Sequence, residues 1–401
     1  MPLSGVADLP LHSGHVPPWL ARYMRRLAEA IVEAVVELFS PRVLVERLGD
    51  PFWFQAFNNA IGMDWDSSGS TTVTLGILKQ VTWSRPELSL VVLGGKGRRA
   101  RMVPDEALRA VELGIITDAE ADEVVSASRL AAKTDNVLLD DGYALYHHAV
   151  VVSRGRWAII QQGLNDSNRM ARRYHWLSPL RANEPSLEPH SAIASSRRES
   201  VIAYDLTSSA SREARRAIPE LAASTSPRRL LEEIHTAIRY ARGLASLDIW
   251  MRKDRQAMPQ RSVRPRYYRP PPTPPRHIER VLYSLYEAKP STIEELVMQE
   301  GVGPATLRSL VLVAELVYGI PVSHADPVSA PLDPFRYAYI VGGKDGVPFP
   351  FRKDYAEKVI EFLRDVVEEA RLDPKSKRQV LRRLERLAGL LNQERAAGGR
   401  A

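Results

Sequence analysis

Hydrophobic residues near the start of the chain recur with a helical period. Within residues 19–39, Leu27, Ile31 and Val35 fall on one side of a helix, and charged residues fall on the other. This pattern predicts a long amphipathic helix. A second helix is predicted for residues 42–49, and we expect the aromatic cluster that follows it to form a turn.

Shorter apolar runs further along the chain predict a small antiparallel sheet. Residues 88–93 form an apolar run that only Ser89 interrupts, which is typical of a strand buried on both faces. Residues 143–152 and 157–161 are predicted to pair as a hairpin, joined by a turn that contains Gly155. Helical patterns surround these strands in the sequence, so residues 1–250 are predicted to form an α+β domain.

A basic, proline-rich segment follows this first domain. Residues 251–277 carry eight lysine and arginine residues, and their prolines favour an extended conformation. The segment is either a strip that follows a phosphate backbone and stacks bases on Tyr267 and Tyr268, or a solvated spacer. Residues 278–401 are predicted to be wholly helical. The fold class is therefore α+β, with a mixed N-terminal domain, a linker and an all-α C-terminal domain.

A glycine turn in the C-terminal part predicts a helix-hairpin-helix. The turn Gly301-Val302-Gly303 lies between an apolar run, residues 293–298, and a longer helical pattern, residues 307–318. Free N–H groups at the start of the second helix suit a phosphate oxygen, because the helix dipole is positive there. We expect DNA contacts from the three turn residues and from Arg308. The alternative is an ordinary turn in an all-α domain.

Composition and charge agree with a nucleic-acid partner. The chain has 55 lysine and arginine residues against 48 aspartate and glutamate residues, a formal charge of +7. It has no cysteine, which excludes disulfides, thiolate nucleophiles and cysteine-bound zinc. We expect a cytoplasmic protein with no membrane partner, because we find neither a membrane-length apolar run nor a secretion signal. Abundant arginine and proline are typical of heat-adapted proteins.

Two segments supply further candidate DNA contacts. Lys96 lies in the glycine-rich loop 94–97, which can cradle a phosphate but lacks the spacing of a nucleotide-binding P-loop. A second cluster can hold phosphates with its arginines and stack an unpaired base: Arg172, Arg173, Tyr174 and His175. In the alternative, the adjacent Trp176 packs in the core and the arginines pair with surface acids.

Candidate catalytic residues surround the predicted sheet. Asp135 ends a helix, Asp141 precedes a strand, and His147 and His148 lie on that strand. Adjacent residues of a strand point to opposite faces, so only one of the two histidines can face a given site. A carboxylate with a histidine, with His148 as the leading candidate, can bind a divalent cation or share acid–base chemistry. In the alternative, Asp140 and Asp141 shape a turn and the histidines make structural hydrogen bonds.

Several short motifs together resemble a known family. They are Gly5-Val6-Ala7-Asp8-Leu9-Pro10-Leu11-His12, Asp50-Pro51-Phe52-Trp53-Phe54-Gln55, Gly94-Gly95-Lys96-Gly97, Tyr146-His147-His148, Gln161-Gln162-Gly163, Ala171-Arg172-Arg173-Tyr174-His175-Trp176 and Gly342-Gly343-Lys344-Asp345-Gly346. The chain resembles a family of archaea and thermophilic bacteria catalogued as domain of unknown function 763. The resemblance spans most of the chain and implies kinship rather than an activity.

The C-terminal hairpin is also similar to that of helix-hairpin-helix DNA glycosylases. In those enzymes a catalytic aspartate follows the second helix by some twenty residues, and Asp326 and Asp333 are the candidates here. Lys344 lies close in sequence and is expected to line such a site. The lysine of lyase-competent members corresponds to Ala305, which argues against Schiff-base chemistry at that position.

The sequence therefore favours a DNA-binding protein of DNA repair or processing. One enzyme hypothesis is a glycosylase that uses Asp333 or Asp326 on a damaged, flipped base. Another is a nuclease that holds a divalent metal ion with Asp135, Asp141 and a histidine. The competing class is a non-catalytic DNA-binding scaffold. No cofactor is predicted apart from that metal ion.

Overall fold

The chain is described by a computed structural model over most of its length. The described residues are 16–63, 69–195, 198–242, 277–331 and 350–372, with the isolated positions 374, 375, 378 and 382. The predicted linker lies outside them except for His277, and so do Asp333 and Lys344.

Helices account for most of the regular structure. In chain order they are α1 (Pro18–Leu38), α2 (Pro41–Gly49), α3 (Pro51–Ala60), α4 (Gly69–Ser84), α5 (Val103–Glu112), α6 (Asp118–Lys133), α7 (Arg212–Ser224), α8 (Pro227–Ala241), α9 (His277–Ala288), α10 (Ile293–Met298), α11 (Pro304–Leu316) and α12 (Lys353–Leu372). The two helices predicted at the N-terminus are α1 and α2, each within one or two residues of its predicted bounds.

The strands form one larger sheet and one smaller sheet, and the smaller sheet consists of β2 and β7. They are β1 (Leu90–Lys96), β2 (Leu139–Asp140), β3 (Ala144–Ser153), β4 (Arg156–Asn165), β5 (Met170–Leu177), β6 (His190–Ser195), β7 (Tyr204–Asp205) and β8 (Ala330–Pro331). The larger sheet has the order β1-β3-β4-β5-β6-β8 and is antiparallel except for the parallel β6-β8 pair. The prediction of a mixed α+β chain with a small antiparallel sheet is confirmed.

Helices cover both faces of the larger sheet. On β1, Leu90 and Val92 pack into a cluster with α1, α2, α3 and α4, whereas Val91 and Leu93 pack with α5 and α6. This alternation follows from the two-residue period of a strand. Because both faces are buried, β1 is a continuous apolar run rather than an alternating one.

The hydrophobic clusters cross the domain boundary that the sequence predicts. Helices α7 and α8, which precede the linker, share one cluster with α9, α10 and α11, which follow it. Helix α12 instead contributes Ala356 and Ile360 to the cluster around α1. Strand β8 adds to the edge of the larger sheet, so residues 278–401 are not wholly helical. The division at residue 250 therefore does not match the packing.

The aromatic cluster after Asp50 forms a helix rather than the expected turn. The Asp50 carboxylate accepts hydrogen bonds from the N–H groups of Phe52 and Trp53, and Pro51 occupies the first helical position. An aspartate cap followed by proline is a strong helix start. Phe54 and Phe57 are then buried against the sheet.

Within the described ranges, no helix combines the length and apolar character needed to cross a bilayer.

His324 joins the end of the helical cluster to the smaller sheet. Its Nε2 lies 2.7 Å from a carboxylate oxygen of Glu315, and its Nδ1 lies 2.8 Å from the carbonyl oxygen of Ala203. Both partners are acceptors, so only the protonated imidazole can donate to both. The hydrogen bond to Glu315 raises the pKa of His324, although partial burial opposes the shift.

We expect His324 to make stability dependent on pH. Because its folded-state pKa is raised, its contribution is complete below the unfolded pKa of 6.5 and is lost as the pH rises through the folded value. In urea titrations, His324→Gln should therefore lower the free energy of unfolding more at about pH 5.5 than at about pH 9. An equal loss at both pH values would contradict this role.

Candidate functional site

Strand β5 buries its charged residues inside the protein. Arg172 is fully buried between two buried carboxylates, and its guanidinium donates to Asp141 at 2.8 Å and to both oxygens of Asp326 at 3.0 and 2.8 Å. The hydroxyl of Tyr174 also donates to Asp141, at 2.7 Å. Burial raises the pKa of Asp141 to about 6, against the opposing effects of Arg172 and Tyr174. The cluster is an internal electrostatic network.

Arg173 and His175 point into a second buried region, next to α3. Arg173 donates to the side-chain oxygen of Gln55 at 3.0 Å and lies over the Phe54 ring, 4.5 Å from its centroid. Burial lowers the pKa of Arg173 to about 9 and holds the pKa of His175 well below its usual value.

Burial corrects the sequence-based interpretation of this strand. The four predicted DNA contacts are fully buried, so in this structure none of them can reach a phosphate backbone: Arg172, Arg173, Tyr174 and His175. Trp176 does pack in the core, as the alternative proposed, but Arg172 pairs with buried rather than surface acids.

A chain of hydrogen bonds accounts for Asp135 and His148. Ser128 bonds to His148 Nε2, and His148 Nδ1 bonds to the side-chain oxygen of Gln161, both at 2.7 Å. The Gln161 amide nitrogen then donates to Asp135. Asp135 also accepts from Trp176 at 2.9 Å and lies 2.6 Å from His190 Nε2. Both ring nitrogens of His148 are thus occupied, and burial lowers its pKa.

These contacts do not assemble the predicted metal site. Asp135 and His148 belong to one network, whereas Asp141 belongs to the Arg172 network. Over the described ranges, we find no group of three or more metal-ligating side chains suited to an ion. The alternative of structural hydrogen bonds for the histidines agrees with the geometry of His148, and Asp141 accepts a hydrogen bond from the N–H group of Tyr143 in the turn before β3.

Asp326 is also buried and accepts several hydrogen bonds. Besides Arg172, it accepts hydrogen bonds from the N–H groups of Glu199 at 2.6 Å and Val328 at 3.1 Å, and only 2% of its surface is exposed. A carboxylate with these partners cannot approach a flipped nucleotide. It therefore does not fit the role of a glycosylase aspartate in this structure, and Asp333, the other candidate, lies outside the described residues.

The glycine turn joins α10 to α11 at the protein surface. Gly301 is exposed and has a φ of +81°, and Gly303 is the N-cap of α11, where no side chain caps the helix. A Cβ atom at Gly303 would meet no other atom within 4 Å. Backbone groups at the start of α11 can therefore be approached closely. Arg308 donates to Asp140 at 3.1 Å and remains partly exposed.

A lysine connects this turn to a cavity at the end of the larger sheet. Lys133, the last residue of α6, donates from Nζ to the carbonyl oxygen of Val302 at 2.7 Å. Its neighbours Ala132 and Asn136 line a cavity of about 530 Å³, which we call the outer cavity. The other lining residues are Gly97, Arg98, Ala100, Arg101, Leu145, Tyr146, His147, His148 and Gln161.

A second cavity lies on the other side of the glycine-rich loop. This inner cavity has a volume of about 300 Å³. It is lined by Thr72, Leu75, Gly76, Lys79, Val92, Gly94, Gly95, Lys96, Arg99, His147 and Ala149. His147 is the residue common to both cavities, and it lies where the register between β3 and β4 shifts.

The two histidines of β3 lie on opposite faces, as predicted. Ala149 and Val151 pack on the α4 side and Val150 on the α6 side, so His147 belongs to the α4 side. His148 reaches Ser128 of α6 on the other side. The sequence indicated His148 as the functional histidine, whereas the geometry favours His147.

Sequence reasoning also missed most of the positive charge around the cavities. It selected Lys96, but the short 3-10 helix that follows adds Arg98, Arg99 and Arg101. In the described part of the chain, none of these three arginines forms an ion pair. Their close spacing after three glycines was the available signal, and it carried little weight because it matched no known phosphate-binding motif.

We expect Arg172 to be essential for stability. Replacing it as Arg172→Met leaves two buried carboxylates without their cation, which should lower the free energy of unfolding by about 3–5 kcal/mol in urea titrations. The control Arg154→Met, in the exposed β3-β4 turn, should change it by less than about 0.5 kcal/mol. An Arg172→Met variant as stable as the control would show that the buried pair does not support the fold.

Comparison with known proteins gives a family but no activity. No curated protein and no solved structure is similar enough to count as a match. A family model described as protein of unknown function, DUF763, matches residues 5–351. Because this match covers well over half of the chain, the protein belongs to the DUF763 family.

Proposed function

We propose that the protein binds DNA and acts in DNA repair or processing, with α10, the glycine turn and α11 serving as a helix-hairpin-helix. The hydrogen bond from Lys133 to Val302 is the observation that supports this proposal best. It fixes the glycine turn to the end of α6, beside the outer cavity and its arginines. A phosphate backbone that crosses the turn would continue towards Arg98 and Arg101.

The electrostatics of this surface support the same proposal. The arginines of the 3-10 helix carry positive charge that no described acid neutralises, and Lys96 lies over the Tyr146 ring at 5.9 Å. Where the structure describes the lining of the outer cavity, it includes no carboxylate. Unpaired cations next to free helix N–H groups form a surface that attracts a polyanion.

Removing two of these arginines tests the proposal. We expect Arg98→Ala combined with Arg101→Ala to weaken binding to duplex DNA. The double variant should also reduce the slope of log K against log salt by up to about 2, because a protein that contacts fewer phosphates releases fewer counterions on binding. Fluorescence anisotropy at several salt concentrations measures both quantities.

A matched control removes the same charge elsewhere. Arg22→Ala combined with Arg25→Ala changes two exposed positions on α1, which packs on the opposite side of the sheet from α6. This control should keep the wild-type slope. If the protein fails to bind duplex DNA at low salt, or if both double variants lose the same slope, the proposal is wrong.

A substitution at the glycine turn tests the hairpin separately. Gly303→Ala should fold normally, because the added Cβ meets no other atom within 4 Å and the backbone φ of −140° suits alanine. The methyl group would stand where a phosphate approaches the start of α11. We expect roughly tenfold weaker DNA binding in the same assay, a loss of one backbone contact. Unchanged affinity would exclude this turn from the interface.

A further inference from the structure

The inner cavity lies between α4, the end of β1 and β3. Its volume of about 300 Å³ equals that of roughly ten water molecules. Three observations favour a small anionic group: a buried histidine without a described partner, a helix glycine that leaves space, and described lining residues that include cations but no carboxylate.

His147 is the first of these observations. This residue is only 2% exposed, yet neither Nδ1 nor Nε2 has a hydrogen-bond partner among the described residues. The adjacent His148 is just as buried and has both nitrogens bonded. A buried polar group without a partner is costly, so such groups in a folded protein need an explanation. A ligand in the cavity would supply the missing partner.

Gly76 is the second observation. It lies in the interior of α4, where glycine is less favourable than alanine. A Cβ atom at this position would meet nothing within 4 Å, so packing does not require glycine there. The missing side chain instead keeps one wall of the inner cavity open.

The charges around the cavity are the third observation. Lys79 donates to the carbonyl oxygen of Gly94 at 2.7 Å and forms an ion pair with Glu106, which neutralises it in part. Lys96 and Arg99 also line the cavity, and no described acid pairs with either of them. Thr72 adds a hydroxyl group. The lining thus offers an excess of positive charge together with uncharged hydrogen-bonding groups.

We propose that the inner cavity binds a phosphate monoester, with Arg99 and Lys96 at its charged end and His147 as a buried hydrogen-bond donor. A terminal phosphate can enter such a cavity, whereas an internal phosphodiester continues on both sides and cannot reach a side chain as deeply buried as His147. The proposed function makes the phosphorylated end of a DNA strand the natural source, and this part of the inference rests on that function. A free nucleotide has the same chemistry, and the test below distinguishes the two sources.

The test compares ligands that differ only in the terminal phosphate. The full-length protein is titrated with a DNA hairpin carrying a 5′-phosphate, a 3′-phosphate or only hydroxyl ends, and separately with thymidine monophosphate and thymidine. We expect one phosphorylated end to bind about tenfold more tightly than the hydroxyl form, because charge-assisted hydrogen bonds form at the phosphate. A preference for thymidine monophosphate alone would assign the site to free nucleotides.

Two variants assign the preference to the inner cavity. Gly76→Leu fills empty space and should abolish the preference without weakening the binding of hydroxyl-ended DNA. Arg99→Ala should reduce the preference severalfold. Its matched control is Arg98→Ala, an equally exposed arginine of the same 3-10 helix that lines the outer cavity instead. This control should keep the ratio of the two affinities even where it weakens both.

The outcomes separate this inference from the proposed function. The phosphate site is overturned, and DNA binding is left intact, if wild-type protein binds phosphorylated and hydroxyl ends equally and binds thymidine monophosphate no better than thymidine. A preference that persists in both Gly76→Leu and Arg99→Ala also overturns it. If no DNA binds but thymidine monophosphate binds better than thymidine, the proposed function is wrong and the site is retained. If neither the DNA nor the nucleotide binds, both proposals are wrong.

Discussion

The fold depends on one buried cation held between two buried anions. Arg172 lies in the middle of the larger sheet, and its guanidinium holds Asp141 from the segment between β2 and β3 and Asp326 from the segment before β8. Taking these groups out of water is costly, and only close pairing offsets that cost. The pairing fixes the segment before β8 against the sheet, where the backbone of residue 199 also binds Asp326.

The surface of the protein differs from this internal network, because several arginines there pair with no described acid. The arginines of β5 are buried, and Arg172 pairs there with two acids, whereas the arginines after β1 pair with no acid among the described residues. The two groups occupy opposite environments although both appear in the sequence as adjacent arginine pairs. Availability to a ligand is therefore decided by where the strands place the side chains and not by the local composition.

The elements with a clear period were predictable from the sequence. A local pattern of apolar residues marks each of them: α1, α2, β1 and the β3-β4 hairpin. Strand β5 was not predicted, because its residues are polar and charged and neither alternate nor form an apolar run. The burial of its charge is explained only by Asp141 and Asp326, which are distant in sequence and neutralise Arg172.

The candidate site was predicted in part, for similar reasons. The glycine-rich loop and the glycine turn were identifiable because glycine marks special backbone conformations, and Gly94, Gly95, Gly97 and Gly301 all have positive φ angles. The choice between His147 and His148 could not be made from the sequence, since it depends on which helix covers each face. The role of Gly76 could not be predicted either, because the sequence does not show that this helix glycine lies beside an empty cavity.

The late position in the chain of two packing partners, Asp326 and α12, has a consequence for how the chain folds during synthesis. The partners of Arg172 are complete only after residue 326 has been made, and the face of α1 that packs against α12 is covered only after residue 360. Until then a nascent chain exposes an apolar helix face and carries an incompletely neutralised buried charge. Such late, sequence-distant contacts slow folding and favour aggregation of incomplete chains. The protein therefore completes its buried ion pairs and the cover of α1 only after residues 326 and 360 have been made.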